Sequence, residues 1–309
     1  MDRPVPARAG AAVQLFGMFC TLALMDTLIS LIRDLAEVPS FSSYEERMHD
    51  LVKRLMATVP GAECRHVPDN NLVFLVPGDE SRAPVALSAH LDKINHFGSS
   101  PPEKLPFEMD EERLTGQMDN AVGLALCISL ARASTGQAFP PLMLLFSEME
   151  ESFGLKHHPH LLKNAGEGLH HGMGAERIAR YLLAEQLLPS SVITLDTTPL
   201  FKGEPGAALY SGHWEFTGRQ PSEGERRRTE RVRDEFLSID RDLYLSNNTN
   251  DYLHYGAELN RDGKADIPSL ALEPAIFPYH QKNESVYLKD IARVRDIMIR
   301  WLEQAGRGI

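Results

Sequence analysis

PVALSAHLD, residues 84–92, is an apolar run that stops at a histidine and an aspartate two positions apart. Three further runs share that form. PLMLLF (141–146) passes through Ser147, Glu148 and Met149 into the pair Glu150-Glu151, and SVITL (191–195) stops at Asp196. IPSLAL (267–272) leads through a short loop to His280. Runs of this length with no polar alternation suit strands buried on both faces, as in a parallel sheet. LVFLV (72–76) is a further candidate strand, and helical patterns fill 119–134, 173–188 and 285–304. Two more helices open the chain, at 25–37 and 43–58, the second with Ser42 and Ser43 ahead of it as candidate N-caps. The expected fold class is α/β, a mostly parallel mixed central sheet flanked by helices, with no separate lid domain.

Open α/β sheets put their sites outside the carboxyl ends of the strands. His90, Asp92, Glu150, Glu151, Asp196 and His280 would then share one rim. Asp119 joins them by opening the helical stretch DNAVGLALCISLA just after Gly116. Taken singly, each has an ordinary structural reading: a capping aspartate, a solvated glutamate pair, a histidine in a loop. Their conjunction at the ends of buried strands is what points to a metal centre. Histidine nitrogens with carboxylate oxygens suit zinc, with cobalt or manganese as substitutes.

Composition narrows the partners. Among 309 residues the formal net charge is -11. That argues against nucleic acid, whose phosphates need clustered Lys and Arg. The one dense basic run, Arg226–Arg228 with Arg231 and Arg233, is interleaved with Glu225, Glu230 and Asp234 and reads as a solvated helix face. Three cysteines, Cys20, Cys64 and Cys127, give no disulfide framework and fit a reducing, cytoplasmic compartment. Residues 11–24 are apolar behind Arg3 and Arg8 but fall short of the roughly 20 residues that span a bilayer. We read 1–24 as an extension outside the fold; export on a signal segment is the alternative. No membrane partner is expected, and a homo-oligomer is left open because the sequence does not reveal it.

The order His90-x-Asp92, Asp119-Asn120, Glu150-Glu151, Asp196, His280 resembles the zinc-dependent exopeptidase superfamily of co-catalytic aminopeptidases. LSAHLD, GQMDNAVG, EMEESFGL, PYHQKNES, NDYLHYG and the opening MDTLISLIRDLAEVPSFSSYEE carry the likeness over roughly residues 25–305. The resemblance implies a phosphorylase/hydrolase-like fold of zinc-peptidase type and two divalent metal ions, with Asp119 as the bridge. His90 and Asp196 would complete one ion, Glu151 and His280 the other. Asp92 would accept the far N–H of His90, and Glu150 would be the general base; a cis peptide after Asp119 is common in the family. The physics agrees, since two close cations need a shared carboxylate and a free carboxylate must carry the water's proton. Gln117-Met118, Ser152-Phe153 and Gln281-Lys282 depart from the family's usual residues. Short spacings from Asp92 to Asp119 and from Asp196 to His280 favour the single-domain aminopeptidase branch over those with a lid.

One catalytic domain is expected over 25–309, with insertions near 155–172 and 199–265. His157, His158, His160, His170 and His171 lie in the first of these and line the cleft, trap extra metal or decorate a surface loop. His96 and His213 have candidate roles at the substrate, while Glu148, Asn250 and Asp251 are open between supporting the site and ordinary turns. The expected activity is hydrolysis of a terminal peptide or amide bond, with a peptide or small amino-acyl substrate. N-acyl-amino-acid deacylation or carboxypeptidase action would use the same site with a guanidinium such as Arg219, Arg241 or Arg261. A non-catalytic binding homologue is the third reading.

Overall fold

Alternation along the strands sorts the core into two faces. The computed structural model describes residues 25–163 and 168–305, so the expectation for 1–24 lies outside the described residues. In chain order the elements are α1 (25–36), α2 (Glu46–Met56), β1 (Glu63–His66), β2 (Leu72–Val76), β3 (Val85–His90) and β4 (Glu108–Met109). Then follow β5 (Arg113–Gly116), α3 (Ala121–Ala133), β6 (Leu142–Ser147), α4 (Met173–Ala184), β7 (Val192–Leu195) and β8 (Ala207–Tyr210). The last are α5 (Glu223–Ile239), β9 (Tyr244–Ser246), α6 (Asp251–Leu259), β10 (Ser269–Pro274), β11 (Glu284–Tyr287) and α7 (Leu288–Gln304).

The main sheet has eight strands in the order β1-β2-β6-β3-β7-β10-β8-β9. Its centre, β6-β3-β7-β10, is parallel, while β1–β2, β2–β6 and β10–β8 pair antiparallel. The expected α/β architecture is therefore present, and all five strands expected from apolar runs are found. A three-stranded antiparallel sheet, β11-β5-β4, lies apart from it. Residues 199–265 supply β8 and β9 to the main sheet together with α5 and α6.

Leu87 and Ala89 of β3, Leu144 and Phe146 of β6, and Ile193 and Leu195 of β7 face α1, α2, α3 and α7. Ala86, Met143, Leu145 and Val192 face α4 and α6 on the other side. Because side chains alternate with a period of two, His90 and Asp196 share the parity of Ala86 and Val192. They share it with each other because Ser88 pairs with Thr194 in register. Among the described residues no helix is long and apolar enough to cross a membrane.

The second helix departs from expectation at its start. Its N-cap is Glu45, without a side-chain cap bond, and Ser43 has a left-handed φ of 70°. Ser42 does not cap it because its hydroxyl donates to Asp92 at 2.7 Å. Lys93 is fully buried and donates to Leu35 O, Val38 O and Ser40 Oγ at 3.1, 3.0 and 3.2 Å, closing the end of α1. Burial lowers its pKa to about 7.

Helix α3 enters beside β7 at Gly123, where a Cβ would lie 2.0 Å from Leu195 O and 2.2 Å from Asn120 Oδ1. Backbone atoms cannot yield as a flexible side chain can. Gly123→Ala should destabilise the protein by about 3 kcal/mol, the upper range for overpacking. Chemical denaturation measures it, and an unchanged midpoint would contradict this close approach.

Candidate active site

The turn after β6 is held by side chains far away in sequence. Met149 is left-handed at φ 62° and swings the chain out of β6 into the short 3-10 helix Glu150–Leu155. Four successive backbone N–H groups here have remote acceptors. Glu148 N donates to Asn71 Oδ1 at 3.0 Å and Met149 N to Glu45 Oε1 at 3.1 Å. Glu150 N and Glu151 N donate to the two oxygens of Asp92, each at 3.0 Å. Glu148 is thereby a scaffold group: buried, it accepts from Asn70 N, Asn71 Nδ2 and Arg177.

Asp119 is fixed from both sides. Glu284 of β11 accepts from Met118 N and Asp119 N at 2.9 and 3.1 Å. Asn120 caps α3 through Gly123 N and donates to Leu195 O at 2.9 Å. The Asp119–Asn120 peptide is cis. Gln117, one of the departures from the family pattern, donates to Gln281 O at 3.2 Å and so joins this strand exit to the His280 loop.

The expected residues converge. His90 Nε2 lies 3.0 Å from Asp119 Oδ1 and 3.6 Å from Asp196 Oδ1. His280 Nε2 lies 3.3 Å from Glu151 Oε2 and 3.9 Å from Asp119 Oδ2. One oxygen of Asp119 thus faces His90 and the other faces His280. His90, Asp119 and Asp196 present ligand atoms within 4.8 Å of one another, as do Asp119, Glu151 and His280. A third grouping within that distance joins His90 to Glu150 and Glu151. Asp92 departs in detail from its expected contact: the oxygen nearest His90 Nδ1 is its backbone carbonyl, at 3.0 Å, with the carboxylate at 3.5 Å. The carboxylate is taken up by Ser42 and by the turn.

Electrostatics suits a cation. Burial and the neighbouring Asp119 push the Glu151 and Asp196 carboxyls well above the ordinary range. Burial opposes charge on His90, yet Asp196 and Asp119 outweigh it and raise its pKa. Nε2 of His280 is buried without a hydrogen-bond partner, although it points at two carboxylates. Crowded buried carboxylates and an orphaned imidazole nitrogen are what a divalent ion would satisfy, so these residues fit one. Glu150 goes the other way. Burial alone would raise it, but the hydrogen bond and charge of His171, with His90 and His280, hold it at about 2.

His171 is drawn in to Glu150 Oε1 at 3.3 Å, whereas His158 and His160 sit on a surface cavity. That cavity, ≈ 490 Å³, is bounded by Ile94, Asn95, His96, Gly154, Leu155 and His158 among others. His96 lies close enough to His280 for their charges to interact. His213 is fully buried, with Nε2 2.7 Å from Glu225 and Nδ1 3.1 Å from Ser269 O, so both its nitrogens are occupied. Cys127 is buried and its thiol pushed up by that burial, which removes it as a nucleophile. Glu45, Asn71, Glu284 and His254 were not singled out in the sequence. Their partners lie 77 to 166 residues away in most cases, and no local pattern marks such pairs.

Residues 71–183 match the family model described as Peptidase family M28. That stretch contains His90, Asp92, Asp119, Glu150 and Glu151. The chain is a metallopeptidase. The resemblance to the zinc-dependent exopeptidase superfamily is borne out, and solved structures agree with the fold. A TET aminopeptidase from the archaeon Thaumarchaeota archaeon SCGC AB-539-E09 superposes with a TM-score of 0.64 at 14% identity, covering 90% of this chain and 96% of its own. A tripeptidase from Staphylococcus aureus gives 0.63 at 11%, covering 92% and 99%. A Thermotoga maritima protein titled endoglucanase gives 0.57 at 14%, covering 88% and 96%. No curated protein matches the sequence.

One pH dependence follows for the protein stripped of metal. Glu45, raised from 4.5 to about 8 by burial and by Asp92, and the raised Glu151 and Asp196 bind more protons folded than unfolded. Stability from such groups is full below their unfolded pKa and lost as pH rises through the folded one. In chelator the melting temperature should therefore fall as pH climbs from about 4.5 to about 8, and zinc should reverse much of the fall. A flat profile in chelator would contradict the crowding.

Proposed function

We propose that the chain is an aminopeptidase that uses two divalent ions, most simply zinc. Residues 25–309 would act as one catalytic domain. The observation that carries the reading is the division of Asp119, whose Oδ1 lies 3.0 Å from His90 and whose Oδ2 lies 3.9 Å from His280, with Asp196 beside His90 and Glu151 beside His280. Asp119 would bridge, and the other four would complete the two ligand sets.

When bound, the ions supply Lewis-acid polarisation of the scissile carbonyl and a water of lowered pKa. The chain's own groups do the rest. Glu150, left out of both ligand sets and held ionised, takes the water's proton and passes it to the leaving amine nitrogen as the C–N bond breaks. Asp92 holds Glu150 and Glu151 by their backbone, so one side chain can ligate while its neighbour faces the reacting atoms. The cavity at Ile94, His96 and Leu155 would take the substrate side chain. Buried carboxylates around the site favour an incoming ammonium terminus.

Carboxypeptidase or deacylase action needs a guanidinium for the substrate carboxylate. Of the three candidates, Arg219 is bound to buried Glu225 and to Asn260 O, and Arg261 to Glu258; only Arg241, which is exposed, is left for that role. Glycoside hydrolysis requires only a carboxylate pair and leaves the histidines unexplained.

Elemental analysis of protein purified without chelator, read with a panel of aminoacyl amides, tests the proposal. About two ions per chain with cleavage supports it. Two ions without cleavage of any amide would transfer the reading to N-acyl amino acids and C-terminal substrates, and no ion even after added zinc would leave a binding homologue. Glu150→Gln should keep its metal and lose about a hundredfold or more in kcat; near-normal turnover would remove Glu150 as the base. Asp119→Ala should lose both ions, and retention of both would show that it does not bridge.

A further inference from the structure

Glu150 is reached by a chain of imidazoles that the proposed chemistry leaves unused. His171, just before α4, places Nε2 3.3 Å from Glu150 Oε1. Nδ1 of the same ring lies 2.8 Å from Nε2 of His254 on α6. Nδ1 of His254 faces Glu176 Oε1 at 3.4 Å. The other oxygen of Glu176 takes His170 and Arg180, at 3.1 and 2.9 Å.

The contacts orient the rings. With Nδ1 of His171 engaged by His254 at 2.8 Å, its Nε2 is the nitrogen turned to Glu150. His254 is held in turn beside Glu176, so the two rings form one run from Glu176 on α4 to Glu150.

The approach is built into the backbone. Gly172, at φ +70°, lies where a Cβ would be 1.9 Å from the His254 ring. At Gly174 a Cβ would be 2.1 Å from Glu148 O, so the start of α4 abuts the turn that carries Glu150.

We propose that His171, backed by His254 and Glu176, is a positioning residue that commits one Glu150 oxygen to its ring and leaves the other aimed at the reacting atoms. This rests on the reading of Glu150 as the base. The test uses metal-loaded enzyme and aminoacyl amides. His171→Ala should lose about ten- to a hundredfold in kcat, the scale of a misplaced catalytic group, with KM, metal content and melting temperature near wild type. Added imidazole, at a concentration that leaves the wild type unaffected, should restore part of the loss. His254→Ala should lose less, and the double variant no more than His171→Ala alone, because both act through one chain. Unchanged kcat, a loss that imidazole does not relieve, or activity falling in step with melting temperature would each overturn the inference. Failure of the base assignment is separately visible: Glu150→Gln would then turn over normally, and this inference would fall with it.

Discussion

The Asp92 carboxylate is the contact on which the rest of the site depends. It lies just beyond β3, accepts the Ser42 hydroxyl, and caps the N–H groups of Glu150 and Glu151. Three distant parts of the chain meet on two oxygen atoms. An irregular turn buried without such acceptors would leave each N–H unsatisfied, at about 1–3 kcal/mol apiece. The same residue gives its carbonyl to His90 Nδ1, so the orientation of a candidate ligand and the path of the glutamate pair are set together.

Around that anchor the architecture concentrates charge against its own stability. Parity in β3 and β7 brings His90 beside Asp196, α3 delivers Asp119 between them, and the 3-10 turn adds Glu151. Glu284 belongs to the small sheet, yet its carboxylate carries the Asp119 backbone. Carboxylates buried this closely repel one another, and a cation relieves precisely that repulsion without disturbing the scaffold. The pull of His171 on Glu150 sets one carboxylate apart from the rest, which is how two adjacent glutamates come to differ in behaviour.

Much of this was legible in the sequence because it is local. Runs such as VALSAH and LMLLFS betray buried parallel strands, and polar residues ending them mark the rim. Asn120, Ser222 and Asn250 accept at their helix starts as capping chemistry leads one to expect, and Ser222 forms a full capping box with Glu225. What escaped was of two kinds. β1, β4, β5, β8, β9 and β11 run from two to four residues; β7 is no longer than these, but SVITL is marked by its β-branched residues and its closing Asp196. Other assignments depend on distant partners: Ser42 reads as a helix cap until Asp92 is beside it, and His254 means little until α6 packs on α4.

The way Asp92 holds the turn has an evolutionary consequence. It binds peptide N–H groups, which every residue except proline possesses, and makes no demand on the side chains at 150 and 151. Those two positions can therefore be rewritten while the loop keeps its course. A lineage could exchange its base, shed an ion or abandon catalysis for binding without first having to reinvent the frame.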